Sequence, residues 1–377
     1  MKKNWLLIAV GLIVVVLAVV AIACGDDDNG DGNGDGNGIE TPSDGNGTGN
    51  THEQTLSDVL ARGRLNCGVN DGVPGFGFLE ADGTSSGFDV DFCRALAAAI
   101  FGDDSLVDYI ILTAAARFEA LAGGEIDVLI RNTTWTLSRD AELNASFATT
   151  TFYDGQGMMV RVADGFDSID DMEGTTICSL QGTTTELNLA DRFEAGGLSY
   201  EGLTYEDNGP LEAAFTAESC QGWTSDQSQL AARRFAYPEA DGGPESLLIF
   251  PEVFSKEPLG PVTRDDDSQW FDIVNWVVIG MITADEKGIT SENLADFVAN
   301  PGDAETSRLL GLPIEGTVFD STLGIAPDFM QNVIRLVGNY GEVYERNIEP
   351  IGIPRAGSLN ASWLDEDGGL IYAPPWR

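Results

Sequence analysis

From Leu56 onward, short apolar runs alternate with segments whose apolar positions recur every three to four residues. The first kind reads as buried strand and the second as amphipathic helix. Strands are predicted over Leu65–Val69, 107–112 and 126–130, separated by helices that open at Phe88 and at Arg117. That β-α-β-α-β order predicts a parallel sheet with helices on both faces. A second series starts near Gly157, with a strand over Thr175–Leu180, helices over 186–193 and 211–218, and short strands over 221–224 and within 246–254. Beyond Gly260 the periodicity is helical, over 269–284, 291–298 and 327–344, and 350–377 is rich in loop residues.

The N-terminal pattern is different. Met1-Lys2-Lys3 is followed by an uncharged run from Trp5 to Ala23, which closes on Ala21-Ile22-Ala23-Cys24. Small residues before a cysteine match the lipobox of a bacterial lipoprotein signal, with Ala21 where leucine is usual. The run exceeds the roughly 7–15 apolar residues of an ordinary signal core and approaches the about 20 that span a bilayer. Residues 1–24 are therefore either a signal with lipidation at Cys24 or a retained anchor. Both place the rest of the chain outside the cytoplasm, since Lys2 and Lys3 stay inside. Residues 25–55 are rich in Gly, Asn and Asp with no Lys or Arg, which predicts a flexible acidic tether. Its Asp27-Asp28-Asn29-Gly30-Asp31-Gly32 imitates the start of a calcium loop, but Gly38 stands where the twelfth-position Glu belongs. No metal or cofactor is expected.

Roughly 320 residues remain, more than one hydrophobic core organises, so two lobes are predicted. The net charge of −41 argues against nucleic acid as a partner, because each phosphate contact would meet repulsion. Only eight of the acids lie in the tether, so the folded part is itself acidic, as suits solubility in a salty medium. Cys67, Cys93, Cys178 and Cys220 form no close CxxC pair, and the single histidine is His52 in the tether. An even cysteine count in an exported protein reads as disulfides. Of the three pairings, the local one is expected, Cys67–Cys93 with Cys178–Cys220; four buried free thiols are the alternative.

Several blocks then carry a resemblance. Gly87-Phe88-Asp89-Val90-Asp91-Phe92 is similar to the signature of the polar-amino-acid family of bacterial solute-binding proteins. Arg117-Phe118-Glu119-Ala120-Leu121 and Arg131-Asn132-Thr133-Thr134-Trp135-Thr136-Leu137-Ser138-Arg139-Asp140 resemble its general L-amino-acid-binding subgroup. Gln181-Gly182-Thr183-Thr184, Thr224-Ser225-Asp226-Gln227 and Ser255-Lys256-Glu257-Pro258-Leu259 continue the likeness, and Tyr372-Ala373-Pro374-Pro375-Trp376 ends it. The resemblance implies a periplasmic-binding-protein-like α/β fold, two lobes with parallel-type sheets joined by a two-strand hinge. Residues 56–155 with 261–377 would form one lobe and 156–260 the other.

A zwitterionic amino acid needs a cation and neutral donors for its carboxylate and an anion for its ammonium. Arg139 offers a planar fork that can hold a carboxylate bidentately. By the resemblance, Arg139 and Thr134 clasp the α-carboxylate, and the backbone at Asn132 meets the ammonium. Gly182, Thr183 and Thr184 start a helix whose free N–H groups suit a carboxylate, and the resemblance implies that Asp226 pairs with the ammonium. Asn70 or Asp71 is a candidate ligand contact, and Trp135, next to the clasp, is either a wall of the pocket or a core-packing residue. The aromatic walls of narrow binders are replaced by Asn70-Asp71-Gly72-Val73-Pro74 and by Thr113-Ala114-Ala115-Ala116, which predicts broad specificity. The expected function is thus capture of L-amino acids, as a monomer, for an ABC permease in the membrane. No catalytic residue is expected; a dehydratase-like enzyme or a ligand-sensing ectodomain on the same fold are the alternatives.

Overall fold

The computed structural model describes residues 54–377. The expectations for the anchor, Cys24 and the tether lie outside the described residues.

Two five-stranded sheets organise the chain. In the first, Leu65–Val69 lies between Val107–Ile111 and Val128–Leu129, parallel to both. Val262–Arg264 then pairs antiparallel with Val128–Leu129 and with Ala145–Phe147. The second sheet has the parallel strands Tyr200–Tyr205, Thr175–Leu180 and Gly222–Asp226, and the antiparallel strands Gln156–Arg161 and Leu247–Ile249. Both sheets are therefore mixed rather than parallel throughout. Sequence periodicity reports burial, not the direction from which a returning strand arrives. The chain leaves the first sheet through Phe152–Asp154 and returns through Glu257–Leu259, and these two strands pair antiparallel with Asp154 opposite Glu257.

The second sheet is buried on both faces, and its alternation shows it. Met158, Val160 and Ile177 pack with Leu189 and Phe193 of the helix Thr184–Gly196. Their neighbours Met159, Cys178 and Leu180 pack with Leu211 and Phe215 of the helix Asn208–Thr216. Successive side chains of a strand point to opposite faces, so a continuous apolar run needs a helix on each side. Each half carries a disulfide: Cys67–Cys93 ties the strand Leu65–Val69 to the covering helix Phe88–Phe101, and Cys178–Cys220 ties the strand Thr175–Leu180 to the segment just before Gly222–Asp226. Closing loops of this length contributes about 3–4 kcal/mol each on the chain-entropy model.

The Gly87-Phe88-Asp89-Val90-Asp91 block divides its labour. Phe88 is the hub of an aromatic cluster, with Phe76, Phe92, Phe152, Tyr340 and Tyr344 at centroid distances of 5.0–6.1 Å. Asp91 pairs with Arg94 at 2.7 Å and with Arg346 at 2.6 Å, which pins the later helix Tyr340–Asn347 to Phe88–Phe101. The helix predicted over 327–344 is in fact two, Phe329–Leu336 and Tyr340–Asn347. Gly338 breaks it at φ 104°, and Asn339 starts the next turn with a reciprocal capping box to Glu342. Apolar spacing continues through that break, so the period alone could not locate it.

Candidate functional site

Between the two sheets lies a small polar chamber. Arg117, Arg131, Asn132 and Thr134 line it from the side of the first sheet; Thr183, Thr184, Thr185, Ser225, Asp226 and Gln229 line it from the second. It encloses about 20 Å³. That is room for about one water, so an amino acid enters only if the two walls part.

Asn132 is the centre of the first wall. Its backbone is left-handed, φ 33°, a conformation that costs an ordinary residue free energy unless its surroundings hold it. The hold is visible: Asp89 accepts the Asn132 N–H at 2.7 Å. Burial lifts the Asp89 carboxyl to about 7, against the opposing pull of that hydrogen bond and of Arg131. The Asn132 side chain then accepts from Asn70 Nδ2 at 3.3 Å and donates across the chamber to Asp226 Oδ2 at 3.5 Å.

Asp226 ends the strand Gly222–Asp226 and precedes the helix Gln227–Phe235, yet makes no capping bond to it. Its carboxylate is aimed at the chamber instead. Burial, with the negative charges of Asp154 and Glu257 adding to it, pushes its pKa well up. A cation placed beside it would reverse that penalty. On the loop opposite, Thr183 is the helix cap, accepting from Glu186 N at 3.1 Å and donating to Leu180 O at 2.7 Å. The Thr184 hydroxyl is thereby left to the chamber: it donates to Glu257 at 2.7 Å and lies 3.4 Å from the Thr134 hydroxyl. Gly182 sits at φ 73°, its N–H held by Glu186, and a Cβ there would stand 3.0 Å from the Ala115 Cα of the opposite wall. The small residues at 113–116 thus permit a close approach of the two loops.

Other expected site residues fall elsewhere. Arg139 is buried behind the chamber wall, donating to Thr134 O at 2.9 Å with its guanidinium 5.4 Å from the Phe118 ring. Asn70 and Asp71 line a neighbouring cavity of about 480 Å³, which shares Arg131 with the chamber and is closed from the other side by Asp207, Asn208 and Arg233. Trp135 lines neither; it is 45% exposed, stacks on Phe147 at 6.0 Å and donates to Asp140 at 3.2 Å. Conversely, Arg117, Arg131, Asp89 and Glu257 bear on the site without having been singled out as ligand contacts. Burial is the main force that lowers the pKa of Arg117, Arg131 and Arg139, and it brings Arg131 to about 10. The signal for Arg117 and Arg131 was present, two arginines flanking a short helix-and-strand unit, but charge along a chain does not tell which cation is buried.

Comparison with known proteins identifies the family. The chain is 46% identical over 332 residues, 87% of its length and 95% of the relative's, to the glutamate/glutamine/aspartate/asparagine-binding protein BztA of Rhodobacter capsulatus. It is 47% identical to the general L-amino acid-binding periplasmic protein AapJ of Rhizobium johnstonii, over 86% of this chain and 93% of that one. Among solved structures, an ABC transporter periplasmic binding protein from Brucella ovis with glutathione bound superposes with a TM-score of 0.80 at 44% identity, covering 86% of this chain and 99% of that one. The family model for bacterial extracellular solute-binding proteins, family 3, matches residues 65–288. A chamber walled by both sheets, with cations and hydroxyls facing a buried carboxylate, is thus carried on a chain that belongs to the bacterial extracellular solute-binding proteins, family 3.

Proposed function

We propose that this protein captures L-amino acids outside the cytoplasm and delivers them to the permease of an ABC importer, without transforming them. The observation that carries the reading is the polarity of the chamber: one buried carboxylate, Asp226 on the second-sheet side, faces Arg117 and Arg131 on the first, with threonine hydroxyls from both. An α-ammonium satisfies the first and an α-carboxylate the second. The carboxylate would be clasped by Arg139, Thr134 and Thr184, with the N–H groups at Thr183 and Thr184 adding to it, and the ammonium by Asp226 and the Asn132 backbone.

The mechanism is capture by closure. Residues 56–155 with 261–377, and 156–260, act as two lobes that swing on the paired strands Phe152–Asp154 and Glu257–Leu259. A ligand touching both lobes favours the closed form because it interacts with that form better, and the closed form is what the permease reads. The neighbouring cavity of about 480 Å³ gives side chains of different size somewhere to go, in keeping with broad specificity. The protein works as a monomer held to the membrane through its N-terminus, either by lipid on Cys24 or by a retained apolar segment.

A thermal-shift screen against the common L-amino acids, followed by titration calorimetry, tests the reading. Several ligands should stabilise the protein, and Arg139→Ala should weaken them by at least about 2 kcal/mol, since a charge-assisted contact is lost. A flat response to every amino acid would overturn it.

A further inference from the structure

Leu359, Trp363, Leu364, Leu370 and Tyr372 are 48–58% exposed, five large apolar side chains in one short stretch of chain. Backbone pairing gathers them. The Leu370 N–H donates to Leu359 O at 2.9 Å and the Trp363 N–H to Ile371 O at 3.0 Å. The Trp363 and Tyr372 rings meet edge to face at 5.4 Å. Exposed apolar residues scattered singly are ordinary, whereas a gathered patch marks a surface that another molecule covers.

The patch is held from beneath. Trp363 Nε1 donates to Glu286 Oε1 at 2.8 Å, and the Ala373 N–H donates to the same oxygen at 3.0 Å. The indole thus has its one polar group satisfied inward and its ring left outside. Glu286 ends the helix Ser268–Glu286, whose Asp285 holds Arg355 from the same C-terminal segment. Between these anchors the buried Asn360 accepts the Tyr153 N–H at 2.6 Å and donates to Tyr153 O at 3.0 Å. Tyr153 lies on the strand Phe152–Asp154, so the patch stands on the body of the fold. A surface fixed in advance loses little further entropy when a partner settles on it.

The rim sets the chemistry of that partner. Asp365, Glu366 and Asp367, all exposed, form the turn between the two halves of the patch. Arg355, earlier in the same segment, is engaged by Asp285 instead. A second copy of the chain would bring the same three acids against them, and an anionic lipid surface would add to the repulsion of a chain carrying −41. Aromatic anchors inside a charged rim suit a protein–protein contact, and a rim of one sign selects a surface of the other. The protein that a binding component of an importer must meet is its membrane permease.

We propose that Trp363, Tyr372 and the acidic turn Asp365–Asp367 dock on a basic extracytoplasmic surface of the ABC permease. The inference rests on the importer reading above and adds where the contact is made.

Photo-crosslinking of the full chain in its native host tests it, with p-benzoylphenylalanine in place of Trp363 or of Tyr372. Phe235, 59% exposed at the end of the helix Gln227–Phe235, is replaced as the control. Irradiation should give adducts from 363 and 372, and none from 235, in which mass spectrometry identifies the membrane subunit of an ABC importer. An adduct of doubled mass from a second copy, adducts with lipid alone, equal permease adducts from 235, or none at all would overturn the inference. A second arm uses the same host without its wild-type copy. There, Trp363→Ser combined with Tyr372→Ser should lower uptake of the best-bound amino acid at least about tenfold. Calorimetry of the purified full chain should show its affinity unchanged, and thermal melts establish folding. Glu366→Lys combined with Asp367→Lys changes only an exposed turn and should lower uptake as well. Uptake equal to wild type in both variants, or a parallel loss of amino-acid affinity, would also overturn the contact. A wild type that binds no amino acid would remove the amino-acid reading and leave the crosslinks to decide the docking surface.

Discussion

At the scale of single residues, the chamber depends on groups kept in unfavourable states until a ligand arrives. Asp226 is the clearest. A carboxyl whose folded pKa is raised retains a proton that the unfolded chain has released, so its contribution to stability falls as pH rises from about 4, the ordinary aspartate value. Asp226→Asn removes that liability. The variant should melt higher than wild type without ligand, by on the order of 1 kcal/mol at neutral pH, and the difference should vanish near about pH 4. Melting curves across pH check the sign. The same charge logic governs binding. An α-ammonium can pair only with the ionised form, so affinity should fall as the medium is acidified, with release of a proton on binding. Calorimetry in buffers of different ionisation enthalpy measures that release, and Asp226→Asn should abolish both it and most of the affinity.

At the scale of elements, the Phe88–Phe101 helix shows how a short sequence block can serve core and site together. Its first turn sends Phe88 into the aromatic cluster, Asp91 to Arg94 and Arg346, and Asp89 to the backbone of Asn132. Acidic residues in a first turn suit the helix dipole wherever they occur, and for that reason the pattern alone could not reveal that one of them is a support for the chamber. Asp89→Ala should leave the Asn132 N–H unpaired at a left-handed position. We expect a stability loss of about 1–3 kcal/mol and weaker binding of every amino acid alike. The uniformity across ligands distinguishes a positioning residue from one that reads side chains, and calorimetry over the same ligand set measures it. Element types were legible from period and length, whereas the break at Gly338 and the antiparallel arrival of Val262–Arg264 were not. The first depends on backbone torsion at one glycine and the second on where a distant strand returns.

At the scale of the whole molecule, the site exists only because two halves of the chain come together. Gly182 and Ala115 mark how closely they do so, and both the left-handed torsion and the 3.0 Å clearance require the glycine. Gly182→Ala should resist closure: ligand affinity should drop about tenfold, and small-angle scattering should show less contraction at saturating ligand than wild type does. The sequence by itself determined the alternating α/β order, the exported and acidic character, and the identity of the residues that contact needs, because burial period, composition and side-chain chemistry are local properties. Thr134, Thr184 and Asp226 could be nominated from the family resemblance together with side-chain type, and the structure gathers them with Asn132 around one space. Only the tertiary structure decided that Arg117 is buried without an acid and that Trp135 points away. It also decided that Asn132 is held by Asp89 and that Thr183 rather than Thr184 caps its helix. Asn132 and Asp89 are 43 residues apart, and the cap is a choice between two adjacent hydroxyls. Such relations depend on which groups exclude water from one another, and that is fixed when the sheets pack.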